Sequence, residues 1–182
     1  MADVKLLDLA PSTKSTKKKE APIGGMPDGE PILNPKWLVF SPADKYRTAQ
    51  YALFTITNAE PVKVAYRLRT RDRLFPQLSH SHGVLASKES VEIVCYIPSH
   101  DQWPRDIVEY SGKVHKIVVE TLTVPDSMTV PQNQKDLVNA VRRLFHNTAS
   151  KAQLTRLYLK LKILLPSVPA GSPPKKASST TF

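Results

Sequence analysis

Hydrophobic and polar residues alternate with a period of two along residues 31–124. This period is typical of β-strands, in which successive side chains point to opposite faces. Clusters of turn-forming residues, such as "TNAEP" and "SHSHG", separate the alternating segments. Short strands at this spacing, with no helical pattern between them, predict an all-β fold, an antiparallel β-sandwich. The predicted strands are 35–40, 49–58, 62–70, 90–98 and 115–124.

The clearest alternation lies in "VAYRLRTRDRLFPQ", which has an apolar face and an arginine face. Two interpretations of the arginine face are open. It could bind a partner, or it could be the solvated side of a sheet that is held by salt bridges to Glu92 or Glu120. The apolar residues are Val64, Tyr66 and Leu68, and the arginines are Arg67, Arg69, Arg71 and Arg73.

Downstream of the predicted sandwich the period becomes helical. Apolar residues recur at helical spacing over 135–147, which predicts an amphipathic helix. "NTAS" indicates a break, and Thr148 or Ser150 would cap a second helix over 154–165 that ends at Pro166. "LYLKLKIL" also alternates, so a strand is the alternative, while the propensities of Leu and Lys favour helix. The apolar stripes would pack on the sandwich, on a second subunit or on a partner.

These patterns predict four regions. Residues 1–30 form a flexible, Lys-rich arm, because they contain too few apolar residues to offset their ordering entropy. Residues 31–125 form the β-sandwich, and residues 133–165 form a basic amphipathic helical extension. Residues 166–182 form a disordered tail rich in Pro, Ser and Lys.

The charge is concentrated towards the end of the chain. The net charge is +10, and residues 125–182 supply +7 of it, from nine basic and two acidic residues. Such an excess indicates an acidic partner. The single cysteine, Cys95, lies in an apolar run and has no second thiol to pair with, which favours a reducing, cytoplasmic location. Neither a signal-peptide pattern nor a membrane-spanning run is found.

Catalytic chemistry has no support in the residues. No motif for nucleotide binding, for an activated nucleophile or for a zinc hydrolase occurs. His80 and His82 stand together in a loop, without further ligands at the spacing that zinc requires. We therefore predict a protein that is not an enzyme, with no catalytic residues, metal, cofactor or small-molecule substrate.

Four stretches of the chain carry a family resemblance, in this order: "PKWLVF", "TAQYALFTITNAEPVKVAYRLRT", "HGVLASKESVEIVCYI" and "HKIVVETLTVP". Together they resemble the major sperm protein (MSP) domain, which nematode major sperm proteins share with the VAP receptors of the endoplasmic reticulum. The last stretch is similar to the family's final strand. The resemblance covers Pro35 to Pro125. It implies a seven-stranded immunoglobulin-like sandwich that works by binding.

The resemblance implies two branches of function. VAP proteins hold acidic FFAT peptides, and major sperm proteins dimerise and polymerise into the filaments of crawling sperm, assisted by accessory fiber proteins. We predict a cytoplasmic, cytoskeleton-associated protein of the nematode sperm pseudopod that acts in MSP filament assembly. Its partner would be MSP, MSP filaments or a second copy of itself. The alternatives are a VAP-like adaptor for acidic peptides, and electrostatic binding of membrane or nucleic acid through the basic helices.

The VAP peptide site carries over in part. Its basic positions fall on Arg67, Arg69 and Lys116, but the family's "TTAP" reads "TRDR" here, and Asp72 adds a charge that disfavours an acidic peptide. The predicted partner-binding residues are Arg67, Arg69, Thr70, Arg71, Arg73, Lys116 and Val118. The predicted C-terminal basic contacts are Arg142, Arg143, Arg156, Lys160 and Lys162.

Overall fold

Two β-sheets pack face to face in the computed structural model, which describes residues 21–151 and 158–168. The four-stranded sheet has the order β1-β3-β7-β5, and the five-stranded sheet has the order β2-β9-β8-β4-β6. The strands are β1 Ile32–Asn34, β2 Trp37–Val39, β3 Gln50–Thr57, β4 Val64–Thr70, β5 Gln77–Leu78, β6 His82–Leu85, β7 Ser90–Ile97, β8 Lys113–Thr123 and β9 Tyr158–Leu165. The helices are a 3₁₀ turn His100–Gln102, α1 Ile107–Tyr110 and α2 Gln134–Lys151.

The core lies between the two sheets and follows the period-two pattern. Each sheet contributes alternate side chains that are almost fully buried, and the all-β sandwich is confirmed. Cys95 is one of these core residues, and burial raises the pKa of its thiol to about 12. The core residues include Phe54, Ile56, Ile93, Cys95 and Ile97 from the four-stranded sheet and Leu68, Ile117, Val119, Leu161 and Ile163 from the five-stranded sheet.

All five predicted strands are present, as β2, β3, β4, β7 and β8. The resemblance implied seven strands, and the described residues contain nine. One reason is that the short segment 32–39 supplies a strand to each sheet: β1 pairs with β3, while β2 pairs in parallel with β9. A second reason is that β5, of two residues, joins the edge of the four-stranded sheet.

The second predicted helix is wrong, because residues 158–165 form strand β9. This strand lies between β2 and β8 and pairs with both. Because β9 follows β8 in the chain, "HKIVVETLTVP" does not form the last strand, which is the place that the resemblance gave to it. Leu161, Ile163 and Leu165 point into the core and are fully buried. Backbone pairing with both β2 and β8, together with burial of these apolar side chains, outweighs the helix propensity of Leu and Lys.

The first predicted helix exists and is longer than expected. Asn133 caps α2, since its Oδ1 accepts the Lys135 amide hydrogen at 2.9 Å. Thr148 and Ser150 are not caps, because both lie inside α2 and donate their hydroxyls to carbonyls four residues earlier. Of the three places predicted for the apolar stripe of α2, which were the sandwich, a second subunit and a partner, the stripe packs on the sandwich. Its contacts are Val141, Leu144 and Phe145 against Ala65 and Leu122.

Part of the predicted flexible arm is attached to the sandwich. Gly25 exchanges backbone hydrogen bonds with Thr123, and the Gly24 amide donates to the Thr148 hydroxyl at 2.8 Å. Both glycines approach β8 so closely that a Cβ atom would crowd Leu122 or collide with Thr123. This close approach, which only glycine allows, lets the chain pair with the end of β8. The rest of the arm, 1–20, and most of the predicted tail, 169–182, lie outside the described residues.

Candidate functional site

The outer surface of the five-stranded sheet carries a set of cations in adjacent strands. We call Arg69, Lys116, Lys160 and Lys162, together with Val118, the basic face. The strand register places Lys116 of β8 directly opposite Lys162 of β9, and it places Val118 between Lys160 and Arg69. Like charges that stand opposite one another destabilise a sheet. An anionic ligand would relieve this repulsion.

Two aromatic rings support the lysines of the basic face. The Lys162 Nζ lies 4.4 Å from the centre of the Trp37 ring, and the Lys160 Nζ lies 5.1 Å from that of Tyr158. At these distances cation–π attraction holds the ammonium groups in place without neutralising their charge. Trp37 and Tyr158 are themselves about half exposed. The basic face therefore combines fixed charge with apolar area, which is a composition suited to contact with a protein.

A groove between β4 and β8 borders the basic face. It has a volume of about 490 Å³, and we call it the β4–β8 groove. It brings together five of the seven predicted partner-binding residues, namely Arg69, Thr70, Arg71, Lys116 and Val118. Asp72, which the sequence placed beside the site as an unfavourable charge, also lines the groove. Sequence reasoning missed the other three lining residues, which are Phe75, Val114 and His115.

Arg67 differs from Arg69, because it lies beneath α2 rather than in the groove. Its Nε donates to Glu120 Oε2 at 2.6 Å, its Nη2 forms an ion pair with the same oxygen, and its guanidinium lies 4.4 Å from the centre of the Phe145 ring. Arg69 Nη1 lies 3.6 Å from Glu120 Oε1, but the Arg69 side chain is 59% exposed. Arg67 thus fits the interpretation of a face held by salt bridges, whereas a binding role for the exposed Arg69 stays a prediction.

Asp72 is less unfavourable to an acidic ligand than the sequence suggested. Its carboxylate lies 3.7 Å from the Arg105 guanidinium and accepts a hydrogen bond from the Tyr110 hydroxyl at 3.2 Å. The neighbouring Arg105, which sequence reasoning missed, also pairs with Glu109. The negative charge beside the groove is therefore partly compensated by groups of the chain itself.

The remaining predicted residues divide between a second cavity and the surface. Arg73 and Arg142 lie with Arg69 and Arg71 around a cavity of about 680 Å³ on the other side of β4. Arg143 is exposed on α2 and lines neither cavity. Arg156 lies outside the described residues.

The two histidines of "SHSHG" have different environments. His82 is buried in β6 opposite Arg67, and its Nδ1 shares a hydrogen bond of 2.8 Å with the Ser81 hydroxyl. Burial, and then the charges of Arg142 and Arg67, lower the pKa of His82 to about 4. Burial also lowers the pKa of His80. Within the described part of the chain, no three His, Cys, Asp or Glu side chains are placed to hold a metal ion.

We expect His82→Gln to flatten the decline of stability in acid. The unfolded imidazole binds a proton near pH 6.5, whereas the folded one does so near pH 4. Between these values the unfolded state holds more protons, so the wild type loses stability as the pH falls, by up to about 3 kcal/mol over the whole window. Urea unfolding of both proteins between neutral pH and about pH 4 measures this loss. Equal pH slopes in the two proteins would contradict the assignment.

Comparison with known proteins supports the fold. No family model matches the chain, and no curated protein matches its sequence. Among solved structures, WR4, a C. elegans MSP family member, aligns with a TM-score of 0.50 and 13% identity, over 74% of this chain and 96% of that one. SSP-19, an MSP-domain protein like family member in Caenorhabditis elegans, aligns with a TM-score of 0.49 and 11% identity, over 73% of this chain and 98% of that one.

A third alignment is with a domain of a human protein, the ASH/PapD-like domain 7 of CEP192. It aligns with a TM-score of 0.44 and 12% identity, over 93% of this chain and 99% of that one. Within the residues that the structure describes, none of the helices combines the length and the apolar character needed to cross a membrane. The order of the strands and the alignment with WR4 together show that this chain has an MSP-like β-sandwich fold.

Proposed function

We propose that this chain is a protein-interaction module whose basic face binds an acidic segment of a partner protein. One observation carries the proposal: cations from β4, β8 and β9 surround Val118, and the two carboxylates that border them are paired with arginines outside the face. Glu120 pairs with Arg67 and lies 3.6 Å from only one cation of the face, Arg69, while Asp72 pairs with Arg105. The face thus presents net positive charge around an apolar contact. An extended segment that mixes carboxylates with apolar side chains matches this pattern.

Strand β9 gives this proposal more support than the sequence did. Lys160 and Lys162 were predicted as contacts on a separate helix, but they lie on the same sheet surface as Lys116. The alternative of membrane or nucleic-acid binding rested on two free amphipathic helices. In the described residues, one of these is a strand and the apolar stripe of the other is buried on the sheet. These observations give that alternative less support than the binding of an acidic segment.

A binding series with an acidic FFAT-type peptide tests the proposal. We expect Arg69→Glu combined with Lys116→Glu to weaken binding by about tenfold or more, because each change replaces an attraction by a repulsion. The affinity should also fall as salt is raised. Arg67→Glu is unsuitable for this test, because it would break the ion pair beneath α2. Isothermal titration calorimetry measures the affinities.

The matched control reverses two exposed lysines outside the groove, Lys63→Glu with Lys135→Glu. This control has the same net charge as the test variant, so it should retain the wild-type affinity apart from a small general effect of charge. Equal losses in the two variants, or no binding by the wild type at high peptide concentration, would refute the proposal.

An association with MSP filaments in the cytoplasm of the sperm pseudopod is a second candidate. The observation that favours it is an apolar patch on the opposite sheet. Tyr51 and Leu53 are 72% and 51% exposed, and Tyr51 stacks on Tyr96 of the next strand with ring centres 6.2 Å apart. A module with contact surfaces on both sheets can bridge two neighbours in an assembly.

Co-sedimentation with MSP filaments tests this second candidate. We expect the wild type to pellet with the filaments and Tyr51→Ser with Leu53→Ser to remain in the supernatant, because both changes remove exposed apolar area without touching the core. Recovery of the wild type only in the supernatant would rule the candidate out. This result would leave peptide binding by the basic face as a separate question.

A further inference from the structure

One end of the outer surface of the five-stranded sheet carries a row of apolar side chains. Val39 of β2, Leu164 of β9 and Val114 of β8 stand side by side in the strand register. They alternate with buried residues such as Leu38 and Ile163, so they point away from the core. Val39 is 63% exposed and Val114 is 44% exposed. We call Val39, Leu164 and Val114 the apolar row.

The neighbouring row of the same surface is aromatic and basic. Trp37, Lys162 and Lys116 occupy it in strand order, and Trp37 is 46% exposed. Neither Asp nor Glu occurs in the three segments that form this end of the sheet, which are 36–41, 113–117 and 160–165. The apolar row is therefore bordered by positive charge alone along these segments.

We propose that this end of the sheet lies on the surface of an anionic lipid bilayer. The apolar row enters the boundary between headgroups and acyl chains, and the lysines beside it contact the lipid phosphates. Trp37 lies between the two, at the headgroup level that tryptophan prefers. This contact goes beyond the proposed function, because β9 and β8 separate the edge strand β2 from β4. It also uses the sheet, and not the two helices from which the sequence predicted membrane binding.

The spread of the charges favours a bilayer over an acidic segment at this end of the sheet. Lys36, just before β2, and Lys113, the first residue of β8, are exposed and extend the positive surface beyond the basic face. An acidic segment offers negative charge along one line, whereas an anionic leaflet offers it over a whole plane. A lysine can also lay its methylene chain along apolar neighbours while its ammonium group stays at the level of the phosphates.

The backbone of β2 limits the depth of the contact. The Lys36 carbonyl and the Phe40 amide form hydrogen bonds with β9, at 3.0 and 3.1 Å. Because successive residues of a strand direct their backbone groups to opposite sides, those of Trp37 and Val39 point to the edge that β2 forms in the described sheet. These groups need water or headgroups as partners, so they cannot enter the acyl chains. The geometry therefore predicts a reversible contact at the interface.

Trp37 provides an internal reporter of this contact. The sequence contains two tryptophans. The other, Trp103, is 7% exposed and donates its indole N–H to the Pro98 carbonyl at 2.8 Å. A change in tryptophan emission on binding therefore reports the environment of Trp37. Quenching by lipids that carry bromine on their acyl chains shows whether the Trp37 ring reaches the edge of the acyl region.

The test titrates the full chain with phosphatidylcholine vesicles that contain or lack phosphatidylserine. We expect a blue shift and bromolipid quenching of Trp37 with the anionic vesicles only, and release as salt is raised. Val39→Asp should weaken the binding about tenfold or more, because it removes apolar area and adds repulsion. Val62→Asp is the matched control. It makes the same change at an exposed valine beside Val124, past the other end of β8, and should keep the wild-type binding.

The outcomes separate the bilayer contact from the proposed function. No binding of the wild type to anionic vesicles, or equal losses in the two variants, would overturn the bilayer contact and leave peptide binding as a separate question. Quenching is measured on the wild type, so it decides even if Val39→Asp does not fold. Binding without quenching would show attraction by charge alone and would overturn insertion of the apolar row. Quenched binding that Val39→Asp loses and Val62→Asp keeps would support the contact even if no acidic peptide binds.

Discussion

A chain that ends at residue 157 should fail to fold. It would lack β9, which fills the gap between β2 and β8 and forms backbone pairs with both. Leu161, Ile163 and Leu165, all fully buried, would leave the core at once. Fully burying each such side chain stabilises a protein by about 1.5–3 kcal/mol, so the three together approach the whole stability of a typical domain. Thermal unfolding followed by circular dichroism should show no cooperative transition.

A chain that ends at residue 168 is the matched control for this truncation. It retains β9 and the Pro166 carbonyl that accepts the Tyr46 hydroxyl at 2.8 Å, so it should unfold cooperatively. At the level of single residues, Ile163→Ala should cost about 2–5 kcal/mol, and Lys160→Ala, on the exposed side of the same strand, less than about 0.5 kcal/mol. A chain ending at 157 that unfolds as cooperatively as the chain ending at 168 would contradict the place of β9 in the sheet.

Glu120→Ala should destabilise the protein by about 3 kcal/mol. Its carboxylate is buried and engages both Arg67 and Arg69. Removal would leave the Arg67 guanidinium, whose side chain is 20% exposed, without its counter-charge beneath α2. Breaking one side of a buried ion pair costs about 3–5 kcal/mol, and the partial exposure of Arg67 places the cost at the lower end. Urea unfolding measures the change.

Two further variants define what Glu120 does. Glu92, the other carboxylate that the sequence offered as a partner, is exposed on the four-stranded sheet. Glu92→Ala should therefore have little effect on the free energy of unfolding. Arg67→Met combined with Glu120→Leu should recover much of the lost stability, because it removes both charges together. If Glu120→Ala and Glu92→Ala unfold at the same urea concentration, the ion pair does not secure α2.

The alternation of residues 31–124 was sufficient to predict the sandwich. Residues such as Ile93 and Cys95 of β7 are buried and alternate with neighbours that are exposed or partly buried, and a strand forms where such a pattern can bury one face. Residues 158–165 could not be assigned in the same way. Their Leu and Lys residues suit a helix locally, and only the edges of β2 and β8, which are distant in sequence, select the strand.

The candidate site was predictable only as far as local sequence and the resemblance reached. The resemblance placed Arg69, Lys116 and Val118 together, and the structure brings all three to one groove. It could not tell the role of Arg67 from that of Arg69, because the deciding contact is with Glu120, 53 positions away. Sequence reasoning also missed Trp37. It precedes the buried Leu38 in "PKWLVF", so the alternation of the strand signalled an exposed aromatic ring on the other face.

Chemical-shift mapping of the full chain with an acidic FFAT-type peptide tests the central claim most directly. The claim is that the basic face and the β4–β8 groove form one binding surface. We predict saturable shifts that are confined to Arg69, Thr70, Lys116, Val118, Lys160 and Lys162 and their immediate neighbours. Shifts centred instead on the Tyr51 and Tyr96 side of the four-stranded sheet, or no saturable shifts at all, would contradict it.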